Sequence, residues 1–259
     1  MLPDSVAIKG GMGVKLRFGE RGTRATSDLD VSTRVRGDAF EQAFRDRLAE
    51  GWGTVPASKG ELRRNPDAPE RVAFTATVRS AKTHDPGLAR PDYVMHPYRV
   101  SIAFLGTAWG ALDVEVSDPE IDPYAHVRKE IDAELVEFGA YFGFGELYPV
   151  ELVALEYQIA QKLHAVTDPT YVRAHDLVDL QLLWNAGPDL PILQHLCVRT
   201  FDWRQQQPWP PLPLRPMDGW ELAYADARAD TEIDGQTTVL SDVTAAREWL
   251  RQVINEVSE

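Results

Sequence analysis

The sequence predicts an α+β protein: a mixed sheet flanked by helices in the first half, then a mainly helical second half. Three observations predict it. Runs of alternating or β-branched residues cluster before residue 122, and stripes of helical period dominate after it. The third is size: 259 residues, 44% of them hydrophobic, suffice for one large or two small cores without staples. The boundary falls within residues 120–148 and is drawn after residue 140, giving units of 1–140 and 141–259.

In chain order, residues 29–33 form a short strand. Residues 39–52 form the first clear helix, since Phe40, Phe44, Leu48 and Trp52 recur at i+4 and Asp38 is placed to cap it. Strands follow at 72–78, 98–104 and 112–116, the last alternating Leu, Asp, Val, Glu, Val. Residues 149–166 carry Leu152, Leu155, Ile159, Leu163 and Val166 in one helical stripe. Residues 175–185 carry Leu180 and Leu183 and stop at Gly187, a residue type that commonly ends helices. The Pro-rich stretch 205–216 is an extended connector. Residues 244–257 form a closing amphipathic helix.

Composition removes several function classes. The single cysteine, Cys197, excludes a disulfide framework and a Cys-rich zinc module. No run approaches the roughly 18 apolar residues of a membrane span, and residues 1–11 lack the apolar core of a signal peptide. The expectation is a soluble, cytoplasmic protein without a membrane partner. A net charge of −13 excludes a uniformly basic nucleic-acid binder. The charge is uneven, however: residues 1–37 hold seven Lys/Arg against four Asp/Glu, whereas 111–156 hold two against twelve. A local positive face near Lys15, Arg17, Arg21, Arg24, Arg34 and Arg36 is therefore expected.

The residues able to carry chemistry fall in four places. Gly10 and Gly11 let backbone amides approach a phosphate, and a following helix would add its positive end; alone, such a pair reads equally as a turn. Asp28 and Asp30 on a strand put two carboxylates on one face, a spacing that suits Mg²⁺ bridging a triphosphate, or simply a solvated strand end. Asp113 and Glu115 repeat the pattern on a second strand, as a third metal carboxylate or as an acidic edge. At about 100° per residue, Lys162 falls roughly 60° from the centre of its apolar stripe. Asp176 and Asp179 lie at i, i+3 beside leucines. Buried acids require partners, so these three residues form either a clamp between helices or a triphosphate contact. The six histidines show no ligand spacing. Trp203, Trp209 and Trp220 with Arg204 and Arg215 read as a nucleobase platform or, by preference, as pins for the Pro-rich stretch.

Taken in order, KGGMGVKLRFG, RATSDLDV, YRVSIAF with ALDVEVS, YPVELVALEYQIAQKLHA and RAHDLVDLQLL resemble the AbiEii/AbiGii-type nucleotidyltransferase toxins of the DNA-polymerase-β-like superfamily. The resemblance spans residues 9–183, and Trp220, Tyr224 and Ala227 extend it. It implies a nucleotidyltransferase catalytic domain at 1–140 and a helical domain at 141–259 that completes the active site. It further implies that Gly10 and Gly11, with Arg24 and Thr26, cradle phosphates, and that Asp28, Asp30 and Glu115 hold Mg²⁺. Lys162 would contact the NTP, with Asp176 and Asp179 forming the later motif. Glu115 stands where the family commonly has Asp. Sixteen residues separate Gly11 from Asp28, so the loop before Asp28 must bulge. Val14, Leu16 and Phe18 alternate like a strand where the family implies a helix.

The function this implies is a Mg²⁺-dependent nucleotidyltransferase, the toxin of a toxin–antitoxin, phage-defence type system. It would transfer NMP from an NTP to RNA, a tRNA 3′ end in particular, with a cognate antitoxin as partner. A small-molecule, antibiotic-modifying nucleotidyltransferase suits the acidic charge better. A protein-binding module that has lost catalysis would not need the Asp28/Asp30 pair.

Overall fold

The computed structural model describes residues 2–3, 6–35, 37–82, 94–121, 127–144, 146–170, 173–212 and 218–259. The expected elements at His84, His126, Arg36, Arg215 and residues 213–216 lie outside these. One eight-stranded sheet runs β3-β4-β5-β6-β2-β1-β8-β7. Its strands are β1 (Val6–Ile8), β2 (Asp28–Thr33), β3 (Trp52–Val55), β4 (Arg71–Ser80), β5 (Met95–Phe104), β6 (Thr107–Ser117), β7 (Val127–Glu130) and β8 (Val150–Val153). The pairs β2/β6 and β1/β8 are parallel and the others antiparallel, so the sheet is mixed as the sequence predicts.

The helices are α1 (Gly10–Phe18), α2 (Gly37–Ala49), α3 (Lys59–Arg64), α4 (Ala133–Tyr141), α5 (Leu155–Thr167), α6 (Ala174–Asn185), α7 (Leu190–Arg204), α8 (Trp220–Ala229) and α9 (Val243–Ser258). The stripe Phe40, Phe44 and Leu48 of α2 seals one face of the sheet against Ala76, Val78, Tyr98, Val100, Val114 and Val116. A second core joins α5 to α9, with Ile159, Leu163, Leu180, Leu183, Trp220 and Leu250 fully buried. Trp220, Tyr224 and Ala227 form the inward stripe of α8. Trp203 and Trp209 pack on the same core, so the tryptophans pin the Pro-rich stretch and do not form a platform.

Three sequence expectations are corrected. The helix expected at 39–52 ends at Ala49, and Asp38 lies in its first turn, not at its cap. Gly51 turns the chain at φ +70, where a Cβ would stand 2.5 Å from the Phe74 carbonyl oxygen. Trp52 therefore enters β3 and stacks on Phe74 at 5.5 Å. The helix expected at 149–166 begins only at Leu155; residues 150–153 are strand β8, with Leu152 opposite Ile8. Leu152 matches the helical stripe by coincidence, and pairing with β1 and β7 overrides that periodicity. The alternation Val14, Leu16, Phe18 belongs to a helix that packs both ways: Met12 and Leu16 face the sheet core, and Val14 and Phe18 the helical core.

No helix among the described residues is long and apolar enough to cross a membrane.

Candidate active site

A cavity of about 760 Å³ opens between the sheet and the helical half, lined by Gly10, Gly11, Arg24, Ala25, Thr26, Ser27, Asp28, Asp30, Glu115, Lys162, Arg173, His175 and Asp176. Its floor follows from strand register. Asp30 stands opposite Glu115 across the parallel β2/β6 pair, and Asp28 opposite Asp113, so all four side chains share a face. Alternation sends Leu29 and Val31 to the core beneath α2.

The glycines are required by contact. Gly10 adopts φ +64, and a Cβ there would lie 1.9 Å from Asp30 Oδ2. At Gly11 a Cβ would meet Arg24 Nη2 and Thr26 Oγ1, both at 2.9 Å. Without side chains, the start of α1 fits between the Asp30 carboxylate and the Arg24–Thr26 loop. Its first turn holds no acid and its N-cap, Lys9, has no side-chain acceptor to offer, so the leading N–H groups point their positive end toward the cavity. Gln158 Nε2 of α5 donates to the Gly10 carbonyl at 2.8 Å and fixes the turn from the helical side.

The long loop after α1 is tied down at several points. The Thr23 hydroxyl donates to the Gly19 carbonyl at 2.9 Å, and the Ala25 amide to Asp230 at 2.9 Å. From there Arg24 reaches α6, donating Nε to both Asp179 oxygens (3.0 and 3.1 Å) and Nη2 to Oδ2 (2.9 Å). Lys162 Nζ donates to Asp176 and to Asp179, each at 2.7 Å. Arg173 reaches the other Asp176 oxygen at 3.5 Å. Cations and anions thus alternate as Arg24, Asp179, Lys162, Asp176, Arg173 across the loop, α5 and α6. Burial opposes charge on Lys162, yet Asp176 and Asp179 hold its ammonium pKa above the ordinary value. Burial likewise opposes ionisation of Asp176, and Lys162 overrides it, keeping the carboxyl below the usual range. Arg24 is raised in the same way, burial being outweighed by Asp179.

The clamp reading of these residues is therefore realised, and Arg24, Lys162 and Asp176 also line the cavity. Asp179 does not: it is fully buried behind the wall, holding Arg24 and Lys162 in place. Arg173 and His175 line the cavity without having been singled out. Their signal lay in the segment RAHDLVDL, where the two flank Ala174 at the start of α6. Burial, with Asp176 opposing, lowers the pKa of His175, so the ring enters the cavity neutral.

Three of the six cations of the expected basic face, Lys15, Arg17 and Arg24, turn inward. Lys15 is buried and paired with Glu20 at 2.9 Å, Arg17 pairs with Glu130, Arg21 with Glu134, and Arg24 with Asp179. A helix packed on both sides leaves Lys15 and Arg17 no route to solvent, whereas Arg21, beside Glu134, stays 70% exposed, Arg34 is exposed, and Arg36 lies outside the described residues. Cys197 is buried with its thiol pKa pushed up, an inert core residue.

The donor set fits a hard divalent cation. Three carboxylates edge one cavity on adjacent strands, while no three acidic, His or Cys side chains among the described residues are drawn together as a closed cage. An ion that keeps waters and completes its shell with substrate phosphates suits such an open set.

A mixed sheet with carboxylates on neighbouring strands, beside a helix opened by glycines and closed over by helices, is nucleotidyltransferase architecture. The chain belongs to the AbiEii nucleotidyltransferase toxin family: the family profile described as "Nucleotidyl transferase AbiEii toxin, Type IV TA system" matches residues 2–250. Among solved structures, the fold is similar to that of MenT4, a nucleotidyltransferase toxin from Mycobacterium tuberculosis H37Rv. The TM-score is 0.56 at 20% identity, covering 99% of this chain and 76% of that one. No curated protein sequence matches the chain.

Proposed function

We propose that this toxin transfers a nucleoside monophosphate from an Mg²⁺-bound NTP to RNA, at the 3′ end of a tRNA, in the cytoplasm and under control of a cognate antitoxin. The observation that carries the reading is convergence. The Gly10–Gly11 helix start, the carboxylates Asp28, Asp30 and Glu115, and the cations Arg24 and Lys162 meet in one cavity, although they come from four separate segments.

The electrostatics argue for a metal. Three cations, Arg24, Lys162 and Arg173, face five acids, Asp28, Asp30, Glu115, Asp176 and the buried Asp179, so the bare site repels a polyphosphate. Mg²⁺ held by Asp28, Asp30 and Glu115 would reverse that sign and stabilise charge on the reacting phosphate oxygens. Amides of Gly10 and Gly11 receive phosphate oxygens, and the Thr26 hydroxyl stands beside them. Arg24 and Lys162, already immobilised by Asp179 and Asp176, offset triphosphate charge without further loss of side-chain freedom. Glu115 takes the proton of the acceptor hydroxyl as its oxygen bonds to the α-phosphorus and pyrophosphate departs. Asp176 and Asp179 act through the cations they hold.

A small cationic acceptor, as in antibiotic-modifying nucleotidyltransferases, is the second reading. It is favoured by the −13 charge and by the internal pairing of Lys15 and Arg17. Incubation with each labelled NTP, Mg²⁺ and either total tRNA or an aminoglycoside separates them. Label in the tRNA band supports the first, and label only on the small molecule replaces it with the second.

A further inference from the structure

The face of the sheet that carries the active-site carboxylates continues past the cavity and, among the described residues, is left open. On β4, β5 and β6 the opposite face is covered by α2, with Ala76, Val78, Tyr98, Val100, Val114 and Val116 buried. On the cavity side Thr75, Thr77, Arg79, Arg99, Ser101 and Asp113 are exposed. The register makes this a continuous row. Asp28 stands opposite Asp113, Asp113 opposite Arg99, and Arg99 opposite Arg79. At about 4.8 Å per strand, the row carries two guanidiniums to about 14 Å from Asp28.

Two features of the row ask for an anion. Like charges directly opposite one another on adjacent strands destabilise a sheet, and Arg79 with Arg99 is such a pair. Arg99 leans on Asp113, but both are about half exposed, so that ion pair is weak and exchangeable. The next row along this face carries small side chains, Thr77, Ser101 and Ala111. This stretch of surface suits a polyanion lying flat. It also supplies, beside the site, the cationic ground that Lys15 and Arg17 do not.

We propose that the open face of β4–β5–β6 is the acceptor track, with Arg79 and Arg99 holding backbone phosphates of the RNA strand whose end enters the cavity past Asp113. This rests on the RNA reading of the acceptor given above. The face guides the acceptor and takes no part in NTP binding, which belongs to α1 and the Arg24–Ser27 loop across the cavity.

The test uses the full chain as wild type, Arg79→Ala, Arg79→Glu and the double variant Arg79→Ala/Arg99→Ala. Arg251→Ala, an exposed pair with Glu248 on α9, is the control. Binding of fluorescent tRNA over a salt series, KM for tRNA, and labelled-NTP binding are measured for each. Loss of two phosphate contacts flattens the log–log salt slope by about 1.4 and weakens tRNA binding roughly ten- to a hundredfold. Arg79→Glu weakens it more than Arg79→Ala, NTP binding holds in all variants, and the control stays at wild-type values. A wild type that labels tRNA, beside arginine variants with unchanged salt slope and KM, overturns the track and leaves the RNA reading standing. A wild type that neither binds nor labels tRNA, yet labels a small cationic acceptor, overturns the RNA reading and the track with it.

Discussion

Replacing Lys162 by alanine removes a cation that touches both buried acids of α6. Its ammonium sits 2.7 Å from Asp176 and 2.7 Å from Asp179, with all three side chains almost wholly shielded from water. Without it Asp179 keeps the bidentate Arg24, but Asp176 keeps Arg173, at 3.5 Å and nearly half exposed, and the neutral His175 ring at 3.8 Å. Removing one partner of a buried pair costs about 3–5 kcal/mol; since Arg24 stays, the lower end, about 3 kcal/mol, is expected. For a chain of this size that lowers Tm by roughly 6–12 °C. The pH dependence identifies the cause. In the wild type the Asp176 pKa is held below the ordinary value, burial notwithstanding, by Lys162. Its contribution is therefore fully present above the unfolded pKa and is lost only as pH falls through the folded one. In the variant burial dominates and raises the Asp176 pKa, so the carboxyl takes up a proton on acidification and the penalty shrinks. Urea unfolding at pH 7 and pH 5 should show the stability gap between the two proteins narrowing at pH 5. A gap below about 1 kcal/mol at pH 7, or one that does not narrow at pH 5, would refute the clamp.

Four further outcomes are expected. Asp28→Ala and Asp30→Ala abolish transfer while thermal unfolding stays at or above the wild-type temperature, since a like charge leaves a crowded acidic face; normal turnover in either would contradict the carboxylate assignment. Chelation of divalent ions by EDTA should stop transfer and added Mg²⁺ restore it, read from label in the acceptor. Gly10→Ala meets Asp30 Oδ2 at 1.9 Å and is strained at φ +64, so it should lose about 1–3 kcal/mol and bind NTP poorly, by unfolding and equilibrium binding. Burial first, then the Arg204 guanidinium, pushes the His164 pKa down to about 3. The unfolded chain therefore takes up this proton first, and stability falls by about 1.4 kcal/mol per unit as pH drops below about 6.5; His164→Gln should flatten that acid slope in urea titrations.

Sequence patterning alone determined what is local. The alternation at 72–78, 98–104 and 112–116 and the stripes of α6 and α9 carry their own period, because each buries one face against whatever covers it. The Asp-x-Asp spacing likewise put Asp28 and Asp30 on a common face before any partner strand was known. Tertiary structure decided the rest. Residues 150–153 became a strand because β1 and β7 needed a neighbour, and Trp52 left its helix to stack on Phe74. Whether Gly10–Gly11 was a turn or a cradle depended on Asp30 and Arg24 arriving beside it. Clamp and cavity wall proved to be the same residues for Lys162 and Asp176, a dual placement no spacing encodes. The basic stretch at the N-terminus was visible as composition, but Lys15, Arg17 and Arg24 of it turned inward onto Glu20, Glu130 and Asp179. Local periodicity reports the face a residue presents; which charge waits on that face is set by chain segments up to 155 residues away, as with Arg24 and Asp179.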